Sequence, residues 1–141
     1  MKKLLFVSLL VLLMLFVVAC SREDYPYEDP DKIVIYYFSG PGCPSCIVQD
    51  EFMKSLENKY SDVEVVYFDV SVDDNDALLA RLARAYEERI ITPPATFVGP
   101  ESIVGFNTAE STGLLIEDVI ARCQRQPCLN PSVVLRNFEG R

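Results

Sequence analysis

Hydrophobic and polar positions divide the chain into a long apolar start, a polar spacer and a body of short alternating runs. Leu4 to Ala19 is nearly unbroken apolar sequence, with Ser8 its one hydroxyl. Ser21 to Asp31 is polar and acidic, carries Pro26 and Pro30, and shows no apolar period, which predicts a linker. Ile33 to Phe38 is a continuous β-branched and aromatic run, as a central strand buried on both faces requires. Ser39-Gly40-Pro41-Gly42 breaks it. From Pro44 to about Lys59, Ile47, Val48, Phe52, Leu56 and Tyr60 follow a helical spacing. Val63 to Val70 predicts a second strand. Asp73-Asp74-Asn75 supplies a helix N-cap, and Leu78, Leu79, Leu82, Tyr86 and Ile90 form one face of the helix that follows.

Pro93 and Pro94 break the chain before a short strand, Ala95 to Val98. A turn at Gly99-Pro100 leads to its hairpin partner, Ser102 to Gly105. Leu114 to about Cys123 predicts a last amphipathic helix with Leu115, Ile116, Val119 and Ile120 inward. The tail after Pro131 has one short apolar run and is expected to be loose. The order β-α-β-α-β-β-α defines an α/β domain, a four-stranded mixed sheet flanked by helices with a hairpin at one edge. There is no internal repeat. Such a small domain buries a modest core, so a structural disulfide would be a useful supplement.

Composition narrows the chemistry. The 141 residues include no histidine and five cysteines, with 13 Lys and Arg against 21 Asp and Glu. Without imidazole there is no Ser-His-Asp or Cys-His catalysis and no histidine-ligated metal or haem. The acidic balance argues against a nucleic-acid partner, because phosphate binding needs clustered cations. The acidic positions Asp50, Glu51, Asp73, Asp74 and Asp76 are read as helix-start charges and solvated faces.

The amino terminus accounts for the odd cysteine. Met1-Lys2-Lys3 is a short basic start, and at ~1.5 Å per residue the apolar run falls short of a ~30 Å hydrocarbon core. It ends in Val17-Val18-Ala19-Cys20. This stretch resembles a bacterial lipoprotein signal, and the resemblance implies cleavage before Cys20 and lipid on its sulfur. On that reading residues 1–19 are a signal peptide, 20–31 a lipidated tether, 32–128 one folded domain and 129–141 a tail. The alternative is an uncleaved signal anchor with an incidental cysteine. Cleavage would remove Lys2 and Lys3, so the lipid, rather than a basic patch, would hold the protein on the extracytoplasmic face of a membrane.

Cys43-Pro44-Ser45-Cys46 carries the remaining chemistry. It lies where the first strand gives way to the first helix. Helix N-termini favour the thiolate, the reactive form of cysteine, and proline fits the first helical turn without losing a needed N–H. This places Cys43 exposed as the attacking thiolate and Cys46 one turn in as the resolving thiol. The alternatives are half of a zinc site or a structural loop. Zinc knuckles usually need a second C-x-x-C or a histidine pair. The one other pair, Cys123 and Cys128, is spaced by four, and histidine is absent. The strand–loop–helix context favours redox chemistry, so no metal and no other cofactor is expected.

With Thr92-Pro93-Pro94-Ala95-Thr96-Phe97 ahead of the third strand, residues 32–123 resemble the thioredoxin superfamily in its short, glutaredoxin-like form. The resemblance implies a cis proline at Pro94 lying against a Cys43–Cys46 disulfide, and pairing of an extended substrate with the backbone at Pro93. Pro93 has no N–H, so only its carbonyl could pair. Other positions depart from the family. Gly42 replaces its tryptophan, Tyr37 stands where thioredoxins bury an aspartate, and Ser45 stands where strong oxidants carry histidine. Gly105-Phe106 replaces the glycine pair with which glutaredoxins hold glutathione. The missing cation beside Cys43 predicts a less oxidising protein.

Taken together, these features predict a lipid-anchored thiol–disulfide oxidoreductase. It would act on protein disulfides in the reductive direction, be re-reduced by a membrane electron-transfer partner, and function as a monomer. The rival readings are a non-catalytic binding module with permanent disulfides and a carrier of metal on four cysteines. Cys123 and Cys128 are expected to form a second, structural disulfide. Their functional alternative is a redox pair that relays electrons to or from Cys43 and Cys46.

Overall fold

The computed structural model describes residues 28–141. The signal-like run, Cys20 and most of the tether lie outside the described residues.

The run Ile33–Ser39 forms β1, and everything else is arranged about it. Val34 to Phe38 are completely buried, which is possible only because both faces of the strand are covered. The α1 helix, Pro44–Lys59, crosses to β2, Val63–Asp69, which pairs with β1 in parallel. The α2 helix, Asp73–Ala85, leads to β3, Ala95–Val98, on the other side of β1 and antiparallel to it. The turn Gly99-Pro100 joins β3 to β4, Glu101–Val104. The sheet order is β2-β1-β3-β4. A π-helical turn, Ala109–Gly113, runs into α3, Leu114–Arg125, and the chain ends in α4, Pro131–Glu139. This is the expected thioredoxin-like α/β arrangement, a mixed sheet flanked by helices, with one helix added.

Strand geometry makes two cores. Successive side chains of β1 point to opposite faces. Ile35 and Tyr37 pack with Phe52, Met53 and Leu56 of α1 and with Ile116, Val119 and Ile120 of α3. Val34, Tyr36 and Phe38 pack with Leu79 and Leu82 of α2 and with Leu135 of α4. Phe38 stacks on Phe68 at 4.6 Å between ring centroids and meets Phe97 edge-on.

Four expectations are corrected. The tail is an ordered helix. Its Leu135 is fully buried against the β1 core, and Glu139 takes two bonds from Arg81 of α2, at 2.7 and 2.8 Å. Proline at the first turn starts this helix and the arc Pro131, Ser132 and Leu135 faces inward, a pattern too short to stand out in sequence. Ile90 is 80% exposed, because α2 stops at Ala85 and the chain turns through Glu87 at φ 59°. The cap of α2 is Val72, with Asp73, Asp74 and Asp76 in the first turn, while the Asn75 amide donates to the Asp69 carbonyl. Leu115 faces solvent while its neighbour Ile116 faces the core.

The docking of α4 is testable. Leu135→Ala should lower the unfolding free energy by about 2–5 kcal/mol, the usual cost of a cavity at a fully buried leucine. Urea titration measures it, and a change near zero would mean that the helix does not hold the sheet.

Candidate redox site at the start of the first helix

The end of β1 delivers Cys43 to the N-cap of α1. Cys43 has extended backbone angles, φ -103° and ψ 99°, and Pro44 opens the helix. The first N–H groups of a helix have no partner within it. Here the Cys46 N–H is shared between the Cys43 carbonyl, at 3.1 Å, and the Cys43 sulfur, at 3.2 Å. The Ser45 hydroxyl also lies within reach of this sulfur, at 3.8 Å, and can donate to it. Cys43 and Cys46 are joined in a disulfide with Cα atoms 5.3 Å apart. The pair is asymmetric: Cys43 is half-buried, whereas Cys46 is only 3% exposed. Once the disulfide is opened, a thiolate on Cys43 keeps an N–H donor and the positive end of the helix, with no acidic side chain in the first turn to oppose it.

The strand register brings the prolines to the same end of the sheet. Ala95 pairs with Phe38, so Pro94 lies beside the exit of β1. The Pro93–Pro94 bond is cis, Pro94 is buried and Pro93 half-buried. The Pro94 carbonyl accepts the Gly105 N–H at 2.7 Å, so this acceptor is taken by the chain itself.

Beneath the motif lie polar groups that the sequence pattern did not single out. The Tyr37 hydroxyl donates to the Cys46 carbonyl at 3.1 Å. Thr96 is the register partner of Tyr37, so its hydroxyl faces the same helix, where it accepts the Gln49 amide N–H at 2.6 Å. Gln49 and Thr96 are completely buried, and Gln49 Oε1 has no hydrogen-bond partner among the described residues. Burial first, and the Asp50 carboxylate second, push the Tyr37 phenol well above its ordinary value. The signal for Gln49 was its place three residues after Cys46, on the line that continues to Phe52, Met53 and Leu56. With Cys46 inward, α1 is rotated so that Ile47 and Val48, expected in the core, are 66% and 49% exposed beside the motif.

The second disulfide, Cys123–Cys128, sits at the opposite end. Cys123 lies in the last turn of α3 and is buried, and Cys128 is half-buried. Both pack against Gly99: a Cβ there would fall 2.9 Å from the Cys123 sulfur and 3.1 Å from that of Cys128. Gly99 follows Val98, which pairs with Ile35 near the start of β1, whereas Cys43 lies beyond its end. At ~3.3 Å per residue the two disulfides are roughly 15 Å or more apart. Thiol exchange needs sulfur-to-sulfur contact, so this fold does not permit a direct relay between the pairs within one molecule. For the same reason the four cysteines do not converge on one metal, and no cluster of three or more metal-ligating side chains occurs among the described residues. As a constraint, so short a loop contributes about 2 kcal/mol in the chain-entropy account.

No family model matches the chain, and no curated protein matches it. Among solved structures, a crystal structure of an Agrobacterium tumefaciens protein superimposes with a TM-score of 0.54 at 17% identity. The match covers 71% of this chain and 48% of the other, so the chain spans about half the length of that protein. At this identity the likeness concerns the fold alone. A malarial protein structure matches with a TM-score of 0.45 at 19% identity, over 62% of this chain and 96% of that one.

The tyrosines set a pH limit on the fold. Burial raises the phenols of Tyr37, Tyr67 and Tyr86, with carboxylates of Asp50, Glu57 and Glu28 adding to the effect. The folded state therefore favours the neutral phenol. Its contribution is complete below about pH 10, where unfolded tyrosines ionise, and is lost as pH rises further. Urea midpoints should fall above about pH 10, and the folded protein should absorb less at 295 nm than the unfolded chain at the same pH. Equal tyrosinate absorbance in both states would contradict the burial argument.

Proposed function

We propose that the protein is a thiol–disulfide oxidoreductase of the thioredoxin superfamily, lipid-anchored through Cys20 outside a membrane and acting on protein disulfides. The observation that carries this reading is the asymmetry of the Cys43–Cys46 pair. One sulfur is reachable and capped by a helix N–H, and the other is buried a turn behind it. In the reductive direction the Cys43 thiolate attacks a substrate disulfide and one substrate sulfur leaves as a thiolate. The Cys46 thiolate then attacks the Cys43 sulfur, the second substrate thiolate departs, and Cys43–Cys46 is left oxidised. A dithiol partner in the membrane would restore the reduced pair.

The reductive direction is favoured by the neutral surroundings of Cys43. Ser45 offers a hydroxyl where a cation would stabilise the thiolate more strongly and make the protein a stronger oxidant. Ile47 and Val48 give an incoming polypeptide an apolar surface next to the motif. The Pro93 carbonyl is the acceptor for its backbone, since Pro94 is already paired with Gly105.

Equilibration with glutathione and dithiothreitol redox buffers should give a Cys43–Cys46 potential between about -300 and -180 mV. A value near -120 mV would make it an oxidant, and one below about -300 mV would favour a binding module with a permanent staple. Cys46→Ser should accumulate mixed disulfides between Cys43 and envelope proteins on non-reducing gels. Their complete absence would remove the catalytic claim. The anchor is tested separately: a labelled fatty acid should be incorporated into the wild-type chain and not into Cys20→Ser.

A further inference from the structure

We propose that Cys123–Cys128 is a second thiol-exchange site, entered from the far end of the sheet by a cysteine on an extended segment of another protein. Three observations support it, none involving Cys43 or Cys46.

The first is access. A groove of about 500 Å³ is lined by Gly99, Cys123, Pro127, Cys128, Leu129 and Val133. A second, of about 380 Å³, shares Gly99, Pro127, Cys128 and Leu129 but not Cys123. Cys128 therefore stands between two grooves. A thiolate must approach along the S–S axis, opposite the leaving sulfur. The smaller groove is lined by Cys128 and not by Cys123, which makes Cys128 the end of the bond to be attacked and Cys123 the leaving group.

The second is asymmetry. Cys123 is 4% exposed and Cys128 is half-buried, the same division as at the first site. The glycine at position 99, with φ 53°, keeps the hairpin turn on the sulfurs without a side chain over them.

The third is that the structure around the bond is held by other contacts. On the α4 side, Asn130 Oδ1 accepts the Val34 N–H at 3.4 Å, Ser132 donates to Glu28 at 2.6 Å, and Leu135 is buried. On the α3 side, Ile116, Val119 and Ile120 lie in the core. Opening the disulfide leaves both helices anchored, so the fold survives the reduced state.

The chemistry balances as ordinary exchange. The partner thiolate bonds to the Cys128 sulfur, the Cys123–Cys128 bond breaks, and Cys123 departs with the electron pair and takes a proton. A second thiolate of the partner then attacks its own sulfur in the mixed disulfide. Cys128 is released and protonated, the partner dithiol is oxidised by two electrons and the Cys123–Cys128 pair is reduced by two. The reverse sequence oxidises the protein. The occupant is a polypeptide rather than a free thiol because grooves flank Cys128 on both sides, so a chain can cross the sulfur with neighbouring residues in each.

The full chain, oxidised and folded, can be incubated with a capped pentapeptide carrying a central cysteine or with glutathione, then quenched with acid and mapped by mass spectrometry. The expected result is a mixed disulfide at Cys128, formed within about a hundredfold of the rate in concentrated urea. The pentapeptide should react at least about tenfold faster than glutathione at equal thiolate concentration. Protection beyond about a hundredfold, or addition at Cys123, would overturn the site and leave a staple. Glutathione reacting as fast as the pentapeptide would overturn the polypeptide partner. Mapping resolves the two cysteine pairs separately, so the result does not depend on the behaviour of Cys43–Cys46.

Discussion

The structure depends on one strand that is buried on both faces. β1 pairs on both edges, with β2 and β3, and its side chains alternate into two cores. On a strand so placed, a polar group that faces a core costs free energy unless it is hydrogen-bonded. Its one hydroxyl on the α1 side, from Tyr37, is accordingly spent on the Cys46 carbonyl. The constraint that stabilises the sheet is thus also the one that orients the first turn of α1 and, with it, the candidate site.

The two disulfides sit in different electrostatic surroundings. Cys43–Cys46 begins a helix, where free N–H groups and the helix dipole favour a thiolate. Cys123 lies in the last turn of a helix, where the dipole opposes one. The electron pair therefore rests more readily on Cys43 than on Cys123. Their separation along β1 sets them apart, one at the end of the sheet where the prolines lead into β3 and the other against the hairpin turn that follows it.

Several elements were legible because their patterns are local. Six β-branched and aromatic residues in a row, proline at the head of a helical period and the Gly99-Pro100 turn each specify their own backbone. Other features were not local. The period of α1 admitted two inward faces, one with Ile47 and Val48 and one with Cys46 and Gln49. The choice was made by Tyr37 on the preceding strand and by Thr96, which lies 47 residues beyond Gln49 on β3. Leu115 and Ile90 failed for a related reason: an apolar residue at the right spacing is buried only if another element arrives to cover it. The opposite error concerned α4. Its short apolar arc looked insufficient alone, and the open face of β1 completed it.

The sequence by itself determined the α/β class, the extent of most elements, the cysteine pair at a strand–helix junction and the proline before the third strand. These follow from backbone restrictions and short-range periodicity, which act within a few residues. Tertiary structure alone decided which face of α1 is buried, that the tail closes the second core, and that the two cysteine pairs stand at opposite ends of the sheet. Those outcomes depend on which distant surfaces meet, and the free energy of burying a face exists only once the partner face is in place.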